Sequence, residues 1–233
     1  MIEGVSIPLI MQNFERLVQT LVAHPDVQWT DVAGITQLFG ARPVRVSDEV
    51  LLRGAEAVHA AGGPTFTDEL SAAELLFLLA RRLLRPAGSY EVPQVMGPNE
   101  PESAPSARLA DVPAQAAAEE ITHACYASGY LPARLSELCG SINPEQALLV
   151  LASEALGREL PPADAQRPTV DAIPGVPEAL KLARNYRNWR PHGLDYRQTP
   201  ILEHLRRQCW TLKPALLAEQ YGEGVELGRH LNP

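Results

Sequence analysis

Two stretches decide how this chain reads: Ser71-Ala72-Ala73-Glu74-Leu75-Leu76-Phe77-Leu78-Leu79-Ala80 and Asn143-Pro144-Glu145-Gln146-Ala147-Leu148-Leu149-Val150-Leu151-Ala152. Each begins with a residue whose side-chain oxygen can accept from the free N–H groups of a helix start. Each places Glu or Gln three residues later, where it can reach back to the cap's own N–H. Pro144 falls at the first helical position, where its missing donor costs nothing. Leu70 matches Ile142 and Leu84 matches Leu156. Apolar residues nearly surround both helices, which places them in a core.

Working outward, each of these helices follows an earlier one that stops at glycine. Residues 48 to 61 run into Gly62-Gly63, and residues 114 to 128 run into Gly129. The unit is therefore helix, glycine stop, loop, capped apolar helix. Neither unit can bury its apolar face alone, so two copies stacking on each other are expected. The alternative is two ordinary amphipathic pairs that match by chance in Ala/Leu-rich sequence.

Proline divides the rest. There are 21 prolines in 233 residues, nearly twice the usual ~5%. Residues 86 to 113 hold six of them and residues 157 to 177 five more. Proline lacks a backbone donor and disfavours helix in the residue before it, so both stretches read as extended connectors. Tyr90, Val92, Val95 and Met96 offer the first connector apolar footholds. Three segments follow: 1–47; 48–157, with hairpins 48–85 and 114–157 joined by linker 86–113; and 158–233, a Pro-rich connector and a basic, aromatic helical tail. In 1–47, Val5 to Met11 reads as a short strand, and Phe14, Leu17, Val18, Leu21 and Val22 mark an amphipathic helix. Val27 to Thr30 reads as extended, followed by a short helix to Phe39. The expected fold is mainly α: two repeated hairpins plus C-terminal helices, at most one short N-terminal strand, and long Pro-rich connectors.

With 20 Lys+Arg against 28 Asp+Glu, the chain carries −8, which argues against nucleic acid or an anionic membrane as its partner. No apolar run reaches the ~20 residues that span a bilayer, so no membrane insertion is expected. Cys125, Cys139 and Cys209 are odd in number and form no CxxC pair. They read as reduced, with Cys125 a buried inert thiol. With no signal-peptide layout at Met1 to Pro8, the expected location is the cytoplasm, or the cell envelope if the chain is a fragment.

Six histidines are present, His24, His59, His123, His192, His204 and His230, none in an HxxxH, HExxH or HxH arrangement. No phosphate loop or GxSxG elbow occurs. No catalytic residue, metal ligand or cofactor is assigned. Glu119 and Glu120 are adjacent, point to different helix faces and are expected to meet solvent.

The tail differs in charge. Between residues 181 and 213, Lys181, Arg184, Arg187, Arg190, Arg197, Arg206, Arg207 and Lys213 face only Asp195 and Glu203, a net +6 that leaves −14 for the remainder. Aromatic residues interleave with these cations. Tyr186, Arg187, Trp189, Arg190, His192, Tyr196 and Trp210 are the candidate ligand-binding residues, because rings stack on sugars and guanidinium forks hold anions. The same cations could equally dock on the chain's own acidic remainder.

Residues 5 to 39 resemble the terminal piece of a polysaccharide deacetylase domain. The likeness lies in the stretch Val5 to Met11, the helix from Phe14 to His24, the segment His24-Pro25-Asp26-Val27-Gln28-Trp29-Thr30, and Ala33 to Leu38. That resemblance implies a distorted (β/α) barrel that removes acetyl groups with a divalent metal held by one aspartate and two histidines. Here the metal motif is missing, and Ser6-Ile7-Pro8-Leu9-Ile10 has no histidine where the family's late one would stand. The two hairpins are similar to pseudomurein-binding cell-wall repeats, whose turn is matched by Gly129-Tyr130-Leu131-Pro132. The first copy departs from it with Gly63-Pro64. Together the likenesses imply a non-catalytic accessory module for cell-wall glycan. Two alternatives stand beside it. One is a metal-dependent hydrolase with ligands drawn from His24, His59, His123 or His192. The other is an interaction module that grips an acidic protein surface through Arg184, Arg187 and Arg190.

Overall fold

The computed structural model describes residues 7–24, 41–98, 108–167 and 208–229. Along the chain these form α1 (Ile7–Ala23), β1 (Ala41–Ser47), α2 (Asp48–Ala61), α3 (Ala72–Leu84), β2 (Ser89–Glu91), α4 (Ala114–Ser128), α5 (Pro144–Leu156) and β3 (Val225–Arg229). The protein is mainly helical, with a small antiparallel sheet.

Local chemistry sets the helix ends. Ser71 Oγ accepts from Glu74 N at 3.3 Å while Glu74 Oε2 accepts from Ser71 N at 2.8 Å. Asn143 and Gln146 exchange the same two bonds at 2.9 and 3.1 Å. Each box satisfies two donors that a helix start leaves orphaned. Gly62 and Gly129 close α2 and α4 at φ 69° and 77°, the left-handed region that glycine enters without penalty.

The four helices of residues 48–156 share one apolar core. Leu70, Leu76, Leu79, Ile142, Leu148 and Leu151 are all buried in it. The first helix of each pair packs chiefly on the second helix of the other pair, α2 on α5 and α4 on α3. The two second helices, α3 and α5, also lie against each other. Contacts within each pair are fewer. Arg82 of α3 ties this core to the start of α2: its Nε and Nη2 donate to the two carboxylate oxygens of Asp48 at 2.7 and 3.2 Å.

The sheet corrects the expectation of at most one strand. Its order is β2-β1-β3, all antiparallel. Val46 stands opposite both Tyr90 and Val225. The central strand tolerates Pro43 because the β1–β3 register shifts between Pro43 and Arg45, and a bulge is where a missing donor does least harm. β3 brings the chain's last segment back onto its first, although 179 to 188 residues separate the paired positions.

The expected strand at Val5 to Met11 is corrected from Ile7 onward, since Ile7–Ala23 is one continuous helix, while Val5 and Ser6 lie outside the described residues. Pro8 sits in its first turn, where no intrahelical donor is required. The apolar spacing of Phe14 to Val22 extends back through Met11, so helix hydrogen bonding continues through residues 7 to 11 as well. The stretches Val27 to Thr30 and Thr30 to Phe39 lie outside the described residues. Among the described residues no helix is long and apolar enough to cross a membrane.

Candidate functional site

Four pieces of chain meet around one cleft of about 350 Å³. The start of β1 supplies Ala41 and Arg42, and the capped first turn of α3 supplies Ser71 and Glu74. The extended chain after β2 supplies Gln94, Val95 and Met96. The C-terminal segment closes it with Thr211, Lys213, Pro214, Ala215 and Tyr221. Met96 is anchored on both sides, its N–H donating to Gly129 O and its carbonyl accepting from Leu131 N, each at 3.0 Å. The wall of the cleft is thereby fixed to the end of α4.

The charges on its floor are paired. Lys213 Nζ donates to Glu74 at 2.9 and 3.2 Å and to the Glu69 carbonyl at 3.3 Å. Glu69, 7% exposed, accepts from Arg53 Nη2 at 2.8 Å. A carboxylate this buried is tolerable only with such a partner. The Tyr221 phenol donates to Ala41 O at 3.3 Å. Burial chiefly, with Glu74, Asp68 and Glu69 adding their negative charge, pushes its pKa up, so it stays protonated as a donor. Arg42 is exposed at the rim and makes no ion pair among the described residues.

This cleft combines hydrogen-bonding groups (Arg42, Gln94, Thr211, Tyr221) with an apolar surface (Val95, Met96, Pro214, Ala215). Its volume lies near the lower end of the ~300–1,000 Å³ typical of small-molecule sites. Comparison of the chain with family models, with curated proteins and with solved structures finds no match. The site is therefore read from its own chemistry.

Of the residues expected to bind ligand, Tyr186, Arg187, Trp189, Arg190, His192 and Tyr196 lie outside the described residues. Trp210 corrects its expectation. It is fully buried, in the core rather than on a stacking surface, and its carbonyl accepts from Ala73 N at 3.0 Å. Its ring area is worth more against apolar side chains than in water. Of the tail's eight cations, Lys213 lies among the described residues and docks on the chain's own Glu74.

Arg42, Gln94 and Tyr221 escape sequence reading because no local pattern links positions 42, 94 and 221; only the return of β3 onto β1 brings them together. Glu120 also differs from its expectation. It is half-buried and accepts from Ser136 N and Oγ, both at 2.8 Å.

Among the described residues the histidines do not converge, and His192, His204 and His230 lie outside them. His24, just past the end of α1, and His123, on α4, are both exposed, and the His59 Nε2 lies 2.9 Å from the Glu159 carbonyl. Among the described residues no group of three His, Cys, Asp or Glu side chains could hold a metal ion.

Burial pushes the Cys125 thiol up to about 12. It also raises Cys139, helped by the hydrogen bond to Glu120. Thiolate, the reactive form, is therefore scarce at both positions. In the folded protein at pH 8, an alkylating reagent is expected to label Cys209 first. Cys125 and Cys139 should react only after denaturant is added, as peptide mass mapping would show. Because the unfolded chain ionises its thiols first, stability should fall as pH rises from about 9 toward 12. Rapid labelling of Cys125 in native protein would contradict its place in the core.

Proposed function

We propose that this chain is a non-catalytic binding module for a hydroxyl-rich ligand, a short piece of cell-wall glycan, held in the cleft between β1, α3 and the C-terminal segment. The observation that carries this reading is the meeting of hydrogen-bonding side chains with an apolar wall in one cleft; Tyr221 and Thr211 already donate to backbone carbonyls and keep their oxygens as acceptors. A sugar ring presents hydroxyls around its edge and C–H groups on its faces. Arg42, Gln94, Thr211 and Tyr221 suit the first, and Val95, Met96 and Pro214 suit the second. The resemblance of the hairpins to cell-wall repeats supports the same class of ligand. In this reading the two helix pairs are copies of one hairpin, supported by their matching caps, glycine stops and reciprocal packing.

Titration with peptidoglycan and chitin oligomers tests it, read by tryptophan fluorescence, since Trp210 adjoins the cleft residue Thr211. A saturable change at millimolar ligand is expected. Arg42→Ala should weaken it about tenfold or more, because a hydrogen bond to a charged group is worth ~1.5–3 kcal/mol. Added salt should matter little, whereas docking on an acidic protein would weaken steeply with ionic strength. A folded protein that ignores millimolar oligomers would end the glycan reading.

A further inference from the structure

We propose a second binding site, separate from the cleft, at the last turn of α3 and the middle of α4, for a small carboxylate with an apolar body. Arg81 and Leu84 of α3 and Arg85, the residue that caps its end, line a cavity of about 170 Å³ together with Thr122 and Tyr126 of α4. Three arginines, Arg81, Arg82 and Arg85, fall within residues 81–85, and they differ in what they hold. Arg82 is locked on Asp48. Arg81 and Arg85 make no ion pair among the described residues, yet they stand one helical turn apart, where like charges repel. The negative end of the α3 dipole offsets part of that repulsion. A carboxylate lying between two guanidinium forks would remove the rest and match their geometry.

The aromatic wall is prepared in the same way. Tyr126 is 64% exposed, but its ring is held edge-on to the buried Phe77, with centroids 5.4 Å apart and planes at 83°. A large apolar surface is thus kept open and oriented beside two unengaged cations. With Leu84 it offers contact to an apolar body, and the cavity is smaller than the ~300 Å³ at which drug-sized sites begin. That limits the ligand to one ring or a short chain. Thr122 gives a third, independent sign: its hydroxyl oxygen is shut off from solvent with no hydrogen-bond partner. Threonine in a helix has two accessible rotamers, and turning from one to the other exchanges the buried hydroxyl with the methyl. The hydroxyl would then face the cavity, where a carboxylate oxygen could accept from it.

The test uses the full chain with benzoate as probe, benzamide as its neutral counterpart and inorganic phosphate as an anion without an apolar body. Nuclear magnetic resonance titration should show benzoate saturating at millimolar concentration, with shifts centred on Arg81, Arg85 and Tyr126. Benzamide and phosphate should bind at least fivefold more weakly. Arg85→Gln should weaken benzoate at least fivefold without changing Tm. Thr122→Val should weaken it severalfold while raising Tm, because an unpaired buried hydroxyl is replaced by a methyl group. Equal binding of benzamide would overturn the role of the guanidinium pair. Equal binding of phosphate would overturn the apolar body, and failure of benzoate to saturate would overturn the site.

Discussion

Leu148→Ala should lower the free energy of unfolding by about 3 to 5 kcal/mol, near the upper end of what one buried leucine contributes. Leu148 is fully buried in the middle of α5, and the helices that pack chiefly on α5 are α2 and α3. Collapse into the space is resisted because α3 and α5 are pinned by capping boxes and α2 and α4 by left-handed glycines. The cavity term therefore stays large. Leu76→Ala at the matching position of α3 should cost a similar amount. The double variant should depart from the sum by more than about 0.5 kcal/mol, since residues that share one cavity couple while separated ones add. Leu138→Ala, at a side chain 84% exposed, should stay within about 0.5 kcal/mol of the parent. Urea unfolding of the four variants checks this. Strict additivity of Leu76 and Leu148 would place them in unrelated layers and undo the view of two hairpins sheltering each other.

What could be read from sequence was what local chemistry controls. The ends of α3 and α5 follow from cap residues at Ser71 and Asn143 and from carboxyl or amide partners three residues on. The ends of α2 and α4 follow from Gly62 and Gly129, because a single residue type tolerates the backbone there. The sheet was not legible for the opposite reason. β1 carries Pro43, β2 is the three residues Ser89–Glu91 inside a Pro-rich connector, and β3 holds Gly228. None has a strand signature of its own. Each exists through a partner distant in the chain, and pairing energy is invisible to any window of sequence. At Ile7 to Met11 the error ran the other way: a short apolar run cannot choose between strand and helix, and the spacing beyond it decides. Trp210 shows the same limit for sites. An aromatic residue among cations can be a stacking platform or a core residue, and only its neighbours in space distinguish the two.

Gly63 offers the sharpest test of how the segment after α5 is held. Unlike Gly62, whose φ of 69° itself demands glycine, Gly63 has a backbone that any residue can adopt. By conformational entropy alone, alanine should stabilise such a position by about 0.4 to 1 kcal/mol. Gly88→Ala should show that gain, because nothing lies within 4 Å of the added carbon. Gly63→Ala should show the reverse. Its Cβ would stand 2.0 Å from the Arg167 carbonyl oxygen and 2.7 Å from the carbonyl carbon, and a backbone group cannot swing aside as a side chain can. Residues 158–167 would have to lift. That breaks the bond from Arg167 N to Gly62 O and loosens the contact of His59 with the Glu159 carbonyl. The Arg158–Glu56 pair, exposed on both sides, adds little to hold the segment down. The expected loss is about 1 to 3 kcal/mol, the usual cost of overpacking. It should come with faster tryptic cleavage after Arg158, because a lifted backbone can enter a protease where a docked one cannot. Thermal unfolding of both glycine variants, with timed digestion alongside, gives opposite signs if the segment is docked as described. A Gly63→Ala protein as stable and as resistant to trypsin as its parent would mean that residues 158–167 do not rest on the end of α2.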